Sequence, residues 1–142
     1  MAKQLYPFTI HWFLGKQVIY AHLERQLQGD EGQMFNEMMT KQIRKGDAPV
    51  FLIMDLRDVK MELAPKIATL QKAGGYRTEP NLRWLLTIID SDRILNFVAS
   101  TVTQIAGTSY ANFDSLDEAL AFIRMRLTHK DWSQARLDVL AK

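Results

Sequence analysis

The stretch Val50-Phe51-Leu52-Ile53-Met54-Asp55-Leu56-Arg57-Asp58-Val59 decides the architecture of this chain. Its first five residues are all apolar, and charge then arrives in a burst at Asp55, Arg57 and Asp58. An apolar run this short, preceded by Asp47-Ala48-Pro49, suits a strand covered on both faces better than a helix. Patterns of helical period lie on either side of it, which places it in the middle of a largely parallel sheet.

Upstream, Phe8–Leu14 alternates, with Phe8, Ile10, Trp12 and Leu14 pointing one way and Thr9, His11 and Phe13 the other. Gly15-Lys16 can turn the chain, and Gln17–Leu23 is again extended, so a β-hairpin is expected with its first strand near a sheet edge. Met34–Lys45 has the period of a helix, with Phe35, Met38, Met39 and Ile43 on its apolar side. Asp30 and Glu31 at its start and Lys41, Arg44 and Lys45 at its end complement the helix dipole, and Gly46 stops it.

Downstream, Pro65 fits the first turn of a second helix with Leu63, Ile67 and Leu70 inward, ended by Gly74-Gly75. Leu82–Ile89 reads as another interior strand. Ile94–Ala106 reads as a third helix, capped by Ser91 or Asp92 and ended by Gly107. Ser109–Phe113 is a short strand. Ser115-Leu116-Asp117-Glu118 is a capping box opening a fourth helix, in which Leu116, Leu120, Ile123 and Leu127 face inward. From Asp131 the tail carries Trp132, Leu137, Val139 and Leu140 without a period, as either a short docked helix or a frayed end. The expected fold is therefore α/β: an N-terminal hairpin, then alternating strands and helices. The sheet is mixed and mostly parallel, of about five strands with about four helices, right-handed crossovers join them, and one domain spans 1–142.

Composition narrows the function classes. At 142 residues, with 47% apolar and 24% charged residues, the chain can bury a core without staples. A net charge of +2, from 18 basic and 16 acidic residues mixed along the chain, gives no case for nucleic-acid binding. The absence of cysteine excludes disulfides, thiolate metal sites and cysteine nucleophiles, and fits a reducing cytoplasm. No stretch reaches the roughly 18 apolar residues of a membrane span, and the N-terminus has no apolar signal core, so a cytoplasmic protein is expected.

The element order and the central stretch resemble the STAS domain, the fold of bacterial anti-sigma-factor antagonists and of the cytoplasmic ends of sulphate transporters. Asp55-Leu56-Arg57-Asp58-Val59 is similar to the Asp-Leu-Ser-Gly-Val that commonly ends a strand in that family. Asn112-Phe113-Asp114-Ser115-Leu116-Asp117-Glu118-Ala119-Leu120 resembles the family's closing strand and helix, and the likeness covers about residues 8–128. The resemblance implies a regulatory domain that docks another protein through the loop after Asp55. It also implies an Asp-Ser-Ser-Gly helix start, whose positions here hold Leu63, Ala64, Pro65 and Lys66. Neither Ala64 nor Pro65 has a hydroxyl for phosphate, and Thr69 falls a full turn into the helix, so switching by the usual serine phosphorylation is not expected. STAS-like proteins of unassigned function in bacterial genomes, which lack the acceptor, are the nearer likeness.

Asp55, Asp90 and Asp114 fall at the C-terminal ends of expected strands, the edge where open α/β sheets bind ligands. Grouped carboxylates there could hold Mg²⁺, but Asp90 and Asp114 stand where caps and turns want aspartate, and capping is preferred. Asp55, Arg57 and Asp58, with Lys60 and Lys66, form the candidate binding rim, suited to an anionic ligand or an acidic partner face. The bland alternative is a solvated surface ion pair. His11 and His22 lie on strands that could pair, yet they and His129 lack metal-ligand spacing. No nucleophile–base–acid set stands out, so neither catalysis, a cofactor nor a metal is expected. A protein partner, either a regulatory protein or a second copy, is the leading expectation. The alternative is a small apolar or anionic ligand held by Trp12, Met38 and Met39 with Arg57 as polar anchor.

Overall fold

The computed structural model describes residues 6–59, 75–89 and 108–141. Five strands form one mixed sheet in the order β1-β2-β3-β4-β5: β1 (Phe8–Leu14), β2 (Val18–Leu23), β3 (Val50–Asp55), β4 (Leu82–Ile88) and β5 (Ser109–Phe113). β1 runs antiparallel to β2, and every other neighbouring pair is parallel. The α/β class, the opening hairpin and the edge position of β1 agree with the sequence. Gly15 supplies the left-handed backbone (φ 53°) of the hairpin turn, and the Gln17 amide closes that turn on the Leu14 carbonyl at 3.2 Å.

Two α-helices are present among the described residues, α1 (Glu31–Lys45) and α2 (Leu116–Arg126), together with short 3₁₀ turns at Gly75–Thr78, Trp132–Gln134 and Leu137–Val139. The helices expected around Pro65 and over Ile94–Ala106 lie outside the described residues. α1 starts one turn before the Met34 expected from periodicity. The Glu31 side chain accepts from the Gln28 amide at 2.9 Å and holds Arg25 in a two-point ion pair, which anchors that extra turn. Gly46 ends α1 with extended rather than left-handed backbone (φ −79°, ψ 162°). Its smallness serves a close approach instead: a Cβ there would stand 2.7 Å from both Trp12 and Val50.

β3 is buried along its whole length, as a central strand should be. Alternation sends its residues to two cores. On the first face Ile19, Ala21, Leu52, Met54 and Leu85 meet Phe35, Met39 and Ile43 of α1, with Tyr76 beside them. On the second face Val18, Tyr20, Phe51, Ile53, Leu86 and Ile88 meet Ala119, Ile123 and Leu127 of α2 and its following residue. The strict alternation expected for β1 fails at its end. A register shift between Trp12 and Leu14 turns Phe13 and Leu14 together into the second core, because a bulge inserts one residue that alternation cannot reveal.

The capping box is built as expected, with the Glu118 amide donating to Ser115 Oγ at 3.2 Å. The tail is docked, but as two 3₁₀ turns rather than an α-helix. The Arg136 amide donates to the Phe13 carbonyl at 2.8 Å, and Trp132 packs against Phe13 while Val139 and Leu140 close over the second core.

Candidate functional site

The site grows from the last residue of β3. Parallel pairing sets Tyr20 beside Ile53 and His22 beside Asp55, so Tyr20, His22 and Asp55 all point to the second face. Asp55 is 0% exposed. Beyond it the chain turns at once: the Leu56 amide bonds the Ile88 carbonyl, and the Val59 amide returns to the Leu56 carbonyl at 3.1 Å. That turn folds Arg57 back over the residue two before it.

The Asp55 carboxylate is thereby filled. Oδ1 accepts from Arg57 Nε at 2.9 Å and from the Arg57 amide at 3.2 Å, and Oδ2 accepts from an Arg57 Nη at 2.5 Å and from the Tyr20 hydroxyl. Burial by itself would push the carboxyl up. The Arg57 and Tyr20 hydrogen bonds to the charged form outweigh it and hold Asp55 below the usual carboxylate range. Burial and the bond to Asp55 push the Tyr20 phenol up, and Asp55 raises Arg57, so the set is a neutral tyrosine, a carboxylate and a guanidinium.

The tail is fastened to the same set. The Ala141 amide donates to the Tyr20 hydroxyl at 3.1 Å, and Arg57 donates to the Ala141 carbonyl at 3.3 Å. Outside this closed network, Asp58 meets His22 Nε2 at 2.6 Å and presents a side chain that is 63% exposed. Arg57 itself keeps 36% of its side chain at the surface. The result is a rim of fixed charges on a rigid strand end.

Of the sequence candidates, Asp55, Arg57 and Asp58 stand together here, although Arg57 pairs with Asp55 rather than with Asp58. Lys60, Lys66 and Asp90 lie outside the described residues. Asp114 is exposed beyond β5, with β4 between it and the Asp55 strand. Among the described residues no three His, Asp or Glu side chains are grouped to hold a metal ion. Trp12 packs against the first core and donates Nε1–H to Gln42 at 3.0 Å. Met39 is 0% exposed within that core, whereas Met38 is 39% exposed. His11 and His22 share the second face as diagonal neighbours, since His11 pairs with Tyr20 and His22 with Thr9.

Sequence reasoning missed Tyr20, His22 and the tail backbone as members of the site. The only signal for Tyr20 was a polar tip within an otherwise apolar extended run.

No family model matches the chain, and no curated protein or solved structure matches it. Among the described residues no helix is long and apolar enough to cross a membrane.

Proposed function

We propose that this chain is a non-catalytic regulatory domain of STAS-like type that docks a partner protein on the Arg57–Asp58 rim. The observation that carries this reading is the commitment of Asp55. Both of its oxygens are taken by Tyr20 and Arg57, so the carboxylate is a fastening and not a group waiting for substrate. A catalytic acid or metal ligand needs at least one open lone pair facing a cleft, and here four donors converge on two oxygens. What the lock leaves at the surface is a positioned guanidinium and an exposed carboxylate on the turn of a central strand, where binding residues concentrate. The opening hairpin followed by parallel strands, with the helices that the sequence pattern leads one to expect between them, supports the STAS-like assignment. The sequence at Ala64-Pro65 supports docking that is not switched by serine phosphorylation.

The test is native mass spectrometry of the tagged chain drawn gently from its host, beside an Asp58→Lys variant. Asp58 is largely exposed, so reversing its charge alters the rim without disturbing the core. A defined protein complex in the wild type that is lost in the variant is expected. Retention of one small added mass with no protein, equal in both, would overturn the docking reading in favour of a ligand-binding domain.

A further inference from the structure

A second surface lies at the other end of the sheet. α2 starts after β5 and runs back along the second face, so its last turn sits beside the beginnings of the strands. Phe51, Trp84 and Ser109 share one register level there, four residues before the level of Asp55, Ile88 and Phe113, or roughly 13 Å along the strands. In that turn the Arg126 guanidinium lies 3.5 Å above the Phe122 ring and 5.2 Å from the Trp84 ring. Arg124 lies 5.0 Å over Trp132. Between the two arginines Met125 is 79% exposed, more than any other large apolar residue among those described. Arg83, the exposed β4 residue before Trp84, donates to Ser109 Oγ at 3.1 Å.

The arginines of this surface differ in their pairing from four others among the described residues. Arg25, Arg44, Arg57 and Arg136 each have a carboxylate partner, whereas Arg83, Arg124 and Arg126 have none among the described residues. Stacking on aromatic rings restrains a guanidinium, so less freedom is lost when it engages an anion. Arginine, aromatic residues and methionine are also the types enriched in protein interfaces.

We infer that the end of α2 docks a short acidic segment of a partner protein, carboxylates meeting Arg124 and Arg126 and an apolar residue between them covering Met125. An acidic protein segment fits better than nucleic acid. The guanidiniums already cover the ring faces on which bases would stack, and an exposed methionine calls for an apolar contact that a phosphate chain lacks. This surface is separate from the Arg57–Asp58 rim.

The test titrates the full chain, labelled at methionine methyls and tryptophan indoles, with the blocked peptide Asp-Glu-Leu-Glu-Asp by NMR. Saturable shifts confined to Met125, Trp84 and Trp132 are expected, absent with the Asn/Gln counterpart of the peptide. Arg124→Ala with Arg126→Ala should weaken binding at least tenfold. Because those arginines also pack on rings, Met125→Asp serves as the second variant: it is exposed, should leave the melting temperature in place, and should weaken binding as strongly. Asp58→Lys should leave peptide binding unchanged, which separates this surface from the rim. Shifts scattered over unrelated basic residues, equal binding by Met125→Asp, or an oligothymidine that outcompetes the peptide at the same residues would overturn the inference.

Discussion

Replacing Asp55 by Asn keeps the shape of the side chain and removes what the lock depends on. The carboxylate accepts from four donors, two at each oxygen. An amide puts N–H₂ in place of one oxygen, so it must face either the Arg57 Nη and the Tyr20 hydroxyl or the Arg57 amide and Nε. The tyrosine hydroxyl can turn to accept, but the guanidinium cannot, so at least one donor–donor contact is left beside a charge that has lost its counter-ion. Breaking a buried pair from one side costs about 3–5 kcal/mol. The lower end, about 3 kcal/mol, applies here because Arg57 is 36% exposed and can regain water. For a chain of this size that corresponds to a fall in Tm of roughly 6–12 °C.

The pH dependence gives a second handle on the same variant. The folded-state pKa of Asp55 lies below its unfolded value of about 3.9, so its contribution is fully present above that value and is lost as pH falls through the folded one. Denaturant unfolding of wild type and Asp55→Asn should therefore differ by a constant amount from neutral pH down to about pH 5, and converge only below about pH 4. Amide exchange at Ala141 should quicken in the variant, because the Tyr20 and Arg57 contacts loosen together. A variant within about 0.5 kcal/mol of wild type at neutral pH, or a difference that persists unchanged at the lowest pH, would refute the lock.

Gly46→Ala would force a Cβ to within 2.7 Å of Trp12 and Val50, and should cost about 1–3 kcal/mol in chemical denaturation, the usual penalty for overpacking. Ser115→Ala removes the oxygen that caps the Glu118 amide, and should cost about 1 kcal/mol while leaving the sheet intact. The Tyr76 phenol is pushed up to about 12 by burial, so ultraviolet titration of the folded protein should show this tyrosine un-ionised where free tyrosine has already titrated. Its raised value contributes stability that is full below about pH 10 and is lost as pH climbs through the folded value, so base denaturation should set in there.

The parts of the fold that local chemistry dictates were legible in the sequence. Five apolar residues ending in Asp55 suit an interior strand better than a helix, Ser115 and Glu118 announce their cap, and Gly15 announces a turn. The bulge was not legible, because one inserted residue at Trp12–Leu14 leaves no trace in an alternating pattern. Nor was the tail, since two isolated 3₁₀ turns are too short to have a period. The site was half legible. Asp55 stood out as a carboxylate that neither capping nor a turn explained, but its partner Tyr20 lies 35 residues away and reaches it only through the register of a parallel pair. Arg57 and Asp58 read as a surface pair because they are adjacent. Adjacent residues after a strand point apart, and each found its partner elsewhere, Arg57 on Asp55 and Asp58 on His22.

The most direct measurement of the docking claim is photo-crosslinking in the host from a benzophenone amino acid at position 24, exposed just past β2 and two residues from the His22 that holds Asp58, with position 33 on the exposed side of α1 as the control. A single protein captured from position 24 and absent from position 33 is the predicted result. Capture that is equal from both positions, or none from position 24, would contradict the claim that the rim beside Asp55 is where this domain meets its partner.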